Sequence, residues 1–387
     1  MMKLFDVYPL FNLEIQHAKG SYVFDSKGQK YLDFYGGHAV ISVGHGHPYF
    51  IDAIKKQLDL IGFYSNSVIN PLQERLADQI ASISGLTDYA LFLCNSGAEA
   101  NENAIKLASF FNRRKKIIAL KDSFHGRMSA TVSASHCLKN KSAIGTAIQT
   151  DYFNVDSILN ILEAINTRKY TCILIEKVQG IGGLDIISSD TLRKIKANCE
   201  ATDTVMIMDE VQCGCGRTGK YFAFQHDDIE PDIITMAKGI GNGFPIGGLL
   251  VNDQKIKPSY GLLGSTFGGN HLACAAAISV AEILEHESLL KNATTLGEQL
   301  RSALLALPGT ISVKGMGLML GVEFEFPIAQ LRKALVHDHF TFVGSSANPN
   351  QLRILPPLNI TQPEVDWFLK ALNEGISASN YSEISKN

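Results

Sequence analysis

The sequence predicts an α/β protein with a mostly parallel sheet in a large domain, followed by a smaller α+β domain. Short apolar runs recur at residues 90–94 (ALFLC), 116–120 (KIIAL), 172–175 (CILI), 205–208 (VMIM) and 233–236 (IITM). Each is too short for a buried helix and is apolar on both faces, as a strand covered on both sides must be. Helix-patterned stretches such as 98–111 and 191–201 separate the runs, an alternation expected of strand–helix–strand units. After a long Ala-rich helical pattern at 271–290 the texture changes. The tail reads as a strand in GLMLGVEFEF, a helix in QLRKALVHDH, a strand in QLRIL and a Pro-led helix at 362–373, with 377–387 expected to fray. The expected divisions are an N-terminal segment, 1–50, packing with the small domain, a large domain at 51–280, and the small domain at 281–387.

Composition limits the function classes. The chain has 387 residues, enough for two or three domains with a sizeable core. Thirty-five Lys and Arg against 38 Asp and Glu leave a formal charge of −3, which is no nucleic-acid footprint. The longest apolar stretch, 272–281, is too short to span a bilayer. Asp6, Pro9 and Glu14 interrupt the place where a signal peptide needs its apolar run. Seven irregularly spaced cysteines do not read as a disulfide framework, so a reducing cytoplasm is expected.

Ligands of open α/β sheets bind at the carboxyl ends of the strands, so the residues after each run are informative. ALFLC is followed by Asn95-Ser96-Gly97-Ala98-Glu99, a turn that opens a helix. Such a turn offers backbone N–H groups and a hydroxyl to a phosphate; plain N-capping by Ser96 is the other reading. KIIAL leads to Phe124-His125-Gly126-Arg127, where the aromatic can stack on a ring and the guanidinium can grip a carboxylate. CILI ends in Glu176, either a site residue or the partner of a buried cation. VMIM ends in Asp209, whose carboxylate needs a cation if buried: a protonated ring nitrogen, or a structural Arg. IITM is followed by Lys238. A half-buried lysine of lowered pKa suits Schiff-base chemistry, and a solvated lysine is the plain alternative. Together these are the parts that bind pyridoxal phosphate.

Two other patterns fail their context. Gly214-Cys215-Gly216-Arg217-Thr218-Gly219 satisfies G-x-G-x-x-G, but no amphipathic helix follows it, so no dinucleotide unit is expected. Cys213/Cys215 and His45/His47 are isolated pairs without zinc-site spacing, and no metal is expected.

The motifs SGAEANE from Ser96, FHGR from Phe124, DEVQ from Asp209, CGRTG from Cys215, Lys238 and STFGGN from Ser265 resemble the class III aminotransferases. The nearest subgroup is the acetylornithine/succinylornithine aminotransferases. The resemblance runs from YLDF at Tyr31 to LRILPP at Leu352. It implies a fold-type I transferase with pyridoxal 5'-phosphate held by Lys238, and Asp209 against the pyridine nitrogen. Val211 would lie behind the ring, Gln212 near its hydroxyl and Phe124 on the other face. Ser96, Gly97 and Ala98 would bind the phosphate, with Thr266 donated by a second copy, making a homodimer part of the expectation. Arg127, Arg353 and Glu176 would face substrate. The implied reaction moves the terminal amine of an N-acyl-L-ornithine to 2-oxoglutarate, in arginine biosynthesis, with no nucleic-acid or membrane partner. Alternatives are an ornithine or 4-aminobutyrate aminotransferase, an aminomutase, or a non-catalytic binder of the cofactor.

Three departures from the family pattern stand out. Where relatives often read EPVQGEGG, this chain reads Glu176-Lys177-Val178-Gln179-Gly180-Ile181-Gly182-Gly183. Loss of the second Glu leaves Arg353 expected to stay open to carboxylates, with poor use of amines such as putrescine. Lys177 in place of proline reads as a solvent-facing side chain, or as one favouring an acidic acyl group. Leu263 and His271 depart from the usual contexts around Thr266.

Overall fold

A computed structural model describes residues 2–136, 141–143 and 148–384. Near the N-terminus, β1 (Ile15–Lys19), β2 (Tyr22–Asp25) and β3 (Lys30–Asp33) form an antiparallel ladder. The middle of the chain supplies β4 (Tyr89–Cys94), β5 (Lys116–Leu120), β6 (Thr150–Phe153) and β7 (Tyr170–Ile175). It continues with β8 (Val205–Asp209), β9 (Ile233–Met236) and β10 (Gly247–Asn252). These seven form one sheet in the order β4-β10-β9-β8-β7-β5-β6. Its ladders are parallel except where β10 runs against β4 and β9.

The five apolar runs are all strands of this sheet. Residues of β7, β8 and β9 are all buried, as strands covered on both faces require. The two strands without a clear sequence signal have physical reasons for being quiet. β6, Thr-Asp-Tyr-Phe, sits at the sheet edge and is only partly buried. β10 begins with Gly247-Gly248, which blunts its apolar pattern, yet both glycines are required. A Cβ on Gly247 would lie 2.5 Å from the Ser96 carbonyl oxygen, and one on Gly248 2.8 Å from that of Phe92.

The helical expectations shift at their ends. The 98–111 and 191–201 patterns become Gly97–Asn112 and Ser189–Thr202. The single helix expected at 271–290 is two, His271–His286 and Leu289–Leu305, because Ser288 turns left-handed at φ 54°. The tail carries β11 (Thr310–Met316), β12 (Met319–Phe324), β13 (Thr341–Phe342), β14 (Gly344–Ser345) and β15 (Gln351–Ile354). Four of these form the sheet β11-β12-β15-β14, and β13 instead extends the N-terminal ladder beside β3. The last helix runs Gln362–Ile384, well past the expected stop at 373 and through most of the segment expected to fray. No described helix is long and apolar enough to cross a membrane.

The Gly214–Gly219 motif opens no helix. Instead its Arg217 is fully buried and donates to the carbonyl oxygens of Ile41, Leu318 and Pro356, tying three distant segments together. No group of three or more potential metal ligands occurs among the described residues.

Candidate active site

The carboxyl ends of β4, β5, β7, β8 and β9 converge on a cavity of about 510 Å³. Its lining includes Ser96, Gly97, Ala98, Phe124, Arg127, Glu176, Asp209, Val211, Gln212 and Lys238. Ten of the twelve predicted site residues thus share one space. The other two do not line it: Thr266 is exposed on its own loop, and Arg353 is buried on β15 behind Gln212.

Ser96 caps the helix Gly97–Asn112 by accepting from the Glu99 N–H at 3.2 Å, so the N-cap reading holds. The cap leaves the N–H groups of Gly97 and Ala98 with no acceptor among the described residues, which is the anion site a helix start provides. Gly97 has no substitute here, since a Cβ would stand 2.5 Å from a Val211 methyl carbon.

Asp209 is 3% exposed, and its partners are not an arginine. Its Oδ2 accepts from Asn101 Nδ2 at 2.7 Å and lies 2.7 Å from His125 Nδ1; its Oδ1 accepts from the Val211 N–H at 3.0 Å. Glu176 also ends its strand buried, accepting from the backbone N–H groups of Phe124 and Gly180, both at 2.9 Å. Burial pushes the Glu176 carboxyl above its ordinary range.

Lys238 follows β9 in a left-handed conformation, φ 48°, which costs a side-chain-bearing residue about 1–3 kcal/mol. Burial lowers its pKa, with Asp209 and Glu176 acting in the opposite sense. Phe124 is half-buried, and the Arg127 guanidinium lies 5.8 Å from its ring centre.

One expectation about the departures is corrected. Lys177 neither faces solvent nor reaches the cavity. It is 3% exposed, pairs with Asp227 at 2.8 Å and donates to the Ile187 carbonyl at 2.6 Å. Arg353 pairs with no carboxylate among the described residues: its Nε donates to the Ser345 carbonyl (2.6 Å) and its Nη1 to the oxygens of Gly180 (2.7 Å) and the Gln212 side chain (3.3 Å).

A profile of class III aminotransferases matches residues 6–376. The chain is 40% identical to the acetylornithine aminotransferase of Streptococcus mutans, covering 98% of this chain and all of that one. The chain belongs to the class III aminotransferases. The crystal structure of acetylornithine aminotransferase from Elizabethkingia anophelis superposes with a TM-score of 0.83 at 28% identity, over 96% of this chain and 95% of that one. A structure of ornithine aminotransferase from Toxoplasma gondii, with pyridoxal phosphate partly occupying its active site, gives 0.88 at 26%, over 96% and 92%. As a class III aminotransferase the protein is a pyridoxal-phosphate-dependent transaminase of fold-type I. The cavity fits that group: it combines a desolvated lysine, a buried carboxylate with acceptor capacity to spare, and two open N–H groups at a helix start.

Sequence reasoning assigned no role to three residues of this aminotransferase site. Asn101 lies on the buried stripe Asn101, Ala104, Ile105, Ala108, where a polar member is itself a signal. His125 stands in the FHGR motif, and its side chain is fully buried. His38 lines the cavity from a turn in which Gly36, Gly37, His38 and Ala39 all have positive φ. No sequence signal short of the Gly-Gly pair marks it.

Proposed function

We propose that the protein transfers the terminal amino group of an N-acyl-L-ornithine to 2-oxoglutarate, yielding N-acyl-glutamate semialdehyde and glutamate, in arginine biosynthesis. The observation that carries this reading is Lys238, a desolvated amine sharing one cavity with the buried Asp209 carboxylate. The names of the near full-length relatives supply the donor: acetylornithine aminotransferases from S. mutans and Methanocaldococcus jannaschii are 40% and 37% identical to this chain.

Bound pyridoxal phosphate supplies an aldehyde that captures the amine and a protonated ring that accepts electrons when the carbon bearing nitrogen loses a proton. Asp209 would keep the ring nitrogen protonated. Lys238, its pKa lowered by burial, would take that proton as free amine and return it one position along. Phe124 and Val211 would cover the two ring faces and exclude water, and Gln212 would lie beside the ring hydroxyl. The open N–H groups of Gly97 and Ala98, with the Ser96 hydroxyl, would hold the phosphate. Arg127 and Arg353 would meet the substrate carboxylates, Arg353 by exchanging its Gln212 contact for one to the ligand, with Glu176 on the substrate side.

Thr266 would complete the phosphate site from a second copy in a homodimer. In support, Thr266 is exposed and absent from its own cavity, and Tyr260 and Phe267 leave large apolar side chains exposed nearby in sequence, with the exposed Phe63 ring 5.4 Å from that of Phe267. The division into 1–50, 51–280 and 281–387 is supported by the sheet memberships, with β13 pairing to β3 across it, although the boundary at 280 falls inside the helix His271–His286. A cytoplasmic enzyme acting on small molecules, without nucleic acid or membrane, completes the reading.

The test is the visible spectrum of the purified protein before and after L-glutamate, followed by a panel of N-acetylornithine, N-succinylornithine, ornithine, 4-aminobutyrate and putrescine. Conversion to the pyridoxamine form with glutamate, and turnover favouring the acylated donors over putrescine, is expected. No spectral change with glutamate, or efficient putrescine turnover, contradicts the reading.

A further inference from the structure

In the cavity wall lies a buried polar chain formed by Thr235, Asn101, Asp209 and His125, the last three of which line the cavity. Thr235 belongs to β9, Asn101 to the helix opened by the phosphate turn, Asp209 to the end of β8, and His125 to the loop after β5. Thr235 is fully buried and Asn101 is 1% exposed. The Thr235 hydroxyl donates to Asn101 Oδ1 at 2.6 Å. On its other side, Asn101 Nδ2 donates to Asp209 Oδ2 at 2.7 Å and to the His125 carbonyl oxygen at 2.9 Å. The amide cannot be turned over. Its oxygen would then face two acceptors at those distances, and Thr235 alone can serve either amide atom.

This geometry constrains Asp209. Its three neighbours are the Asn101 amide N–H, the Val211 backbone N–H and the His125 ring nitrogen, and the first two can only donate. A carboxylate has about four acceptor positions and no proton of its own to offer. Three positions are filled from the protein side, so Asp209 is held as an acceptor with one position left. The carboxylate plane is set by contacts to both of its oxygens. Buried charge-assisted hydrogen bonds of this kind are the strong ones, and the low-dielectric surroundings raise the cost of losing any of them.

We propose that Asn101, oriented by Thr235, is a positioning residue of the active site: it holds Asp209 as an anion and aims its remaining acceptor position at a cationic ring N–H in the cavity. The inference rests on the assignment of Asp209 to the pyridine nitrogen and deepens it. In this role Asn101 acts through Asp209.

The experiment uses holoenzyme reconstituted with pyridoxal phosphate labelled with 15N in the ring. Wild type, Asn101→Ala and Thr235→Val are compared by the ring 15N resonance, which separates protonated from unprotonated pyridine, and by the dissociation constant of the cofactor. Wild type should show a protonated ring. Asn101→Ala should move the resonance toward the unprotonated position and weaken cofactor binding by roughly ten- to a hundredfold, the scale of one lost hydrogen bond to a charged group. Thr235→Val, close in shape and retaining the amide, should shift both readouts the same way by a smaller factor. It decides the matter if Asn101→Ala does not fold. A protonated wild type whose folded variants keep its resonance and affinity overturns the role of Asn101 and leaves the Asp209 assignment standing. An unprotonated wild-type ring overturns that assignment, and the inference with it.

Discussion

Asp209 and Lys177 make an instructive pair. Each is a charged residue at or just past the end of a central buried strand, and each is 3% exposed. Lys177 faces away from the cavity, and its charge is met within the chain by Asp227 and the Ile187 carbonyl. Asp209 faces the cavity and is met by three groups that hold it in place without neutralising it by a fixed opposite charge. A strand-terminal charge is therefore not itself a site. What distinguishes chemistry from architecture is whether the partner set closes inside the protein or leaves a position for a ligand.

The comparison can be broken or sharpened by substitution, beginning with the largest expected effect. On the cavity side, Lys238→Ala should lower turnover by roughly 10⁴-fold or more, since nucleophile and proton carrier are lost together. Full turnover by this variant in single-turnover and steady-state assays would remove Lys238 from the mechanism. On the closed side, Lys177→Met should cost about 3–5 kcal/mol in urea unfolding, because Asp227 is left buried without its cation. Its activity per folded molecule should stay at the wild-type level; unchanged stability with altered donor preference would instead place Lys177 in the site.

Thr266 extends the comparison to a site residue whose partner set would close only between two chains. Thr266→Ala should weaken cofactor binding by about tenfold, the scale of one hydrogen bond to a charged phosphate. Co-assembly with Lys238→Ala protomers should then return the one competent site of each hybrid dimer to wild-type cofactor affinity, because that site regains both residues. A Thr266 acting within its own chain would leave the hybrids with the same roughly tenfold weaker affinity.

The smallest effect concerns His38. Although open to the cavity, its imidazole is pushed down to about 4, first by burial and then by the charges of Arg353, Lys238 and Arg127. A histidine harder to protonate when folded favours the native state at higher pH, and that contribution fades as pH falls from its ordinary 6.5 toward 4. His38→Gln should therefore flatten the stability decline across that window, seen as unfolding midpoints that run parallel to wild type above it and shift relative to wild type, in the variant's favour, as pH falls through it. Parallel curves at every pH would show that His38 does not titrate there.

Much of the site was legible because the chemistry sits at the ends of strands whose apolar character announces them. Glu176, Asp209 and Lys238 each follow such a run, and the turn at Ser96 opens a helix with a recognisable cap. Local sequence also marked the false dinucleotide motif, since no helix pattern followed it. Less legible were features whose meaning lies in a distant partner. Asn101 looks like one polar residue in an alanine-rich helix until Thr235, 134 positions away, orients it toward Asp209. Arg353 has no acid beside it, as the sequence implies, yet the oxygens of Gly180, Ser345 and Gln212 that position its guanidinium come from residues that no adjacent residue foretells.

By itself, then, the sequence determined the central strands, the order in which reactive residues meet the cavity and the family to which they belong. Those depend on periodicity and on short motifs, both local along the chain. Tertiary structure alone decided which face each strand-end charge would take, that β10 would run against its neighbours, and that β13 would leave its own sheet for the N-terminal one. The reason is physical: a buried charge or an unpaired strand edge is costly until something meets it, and what meets it here comes from residues far away in the chain.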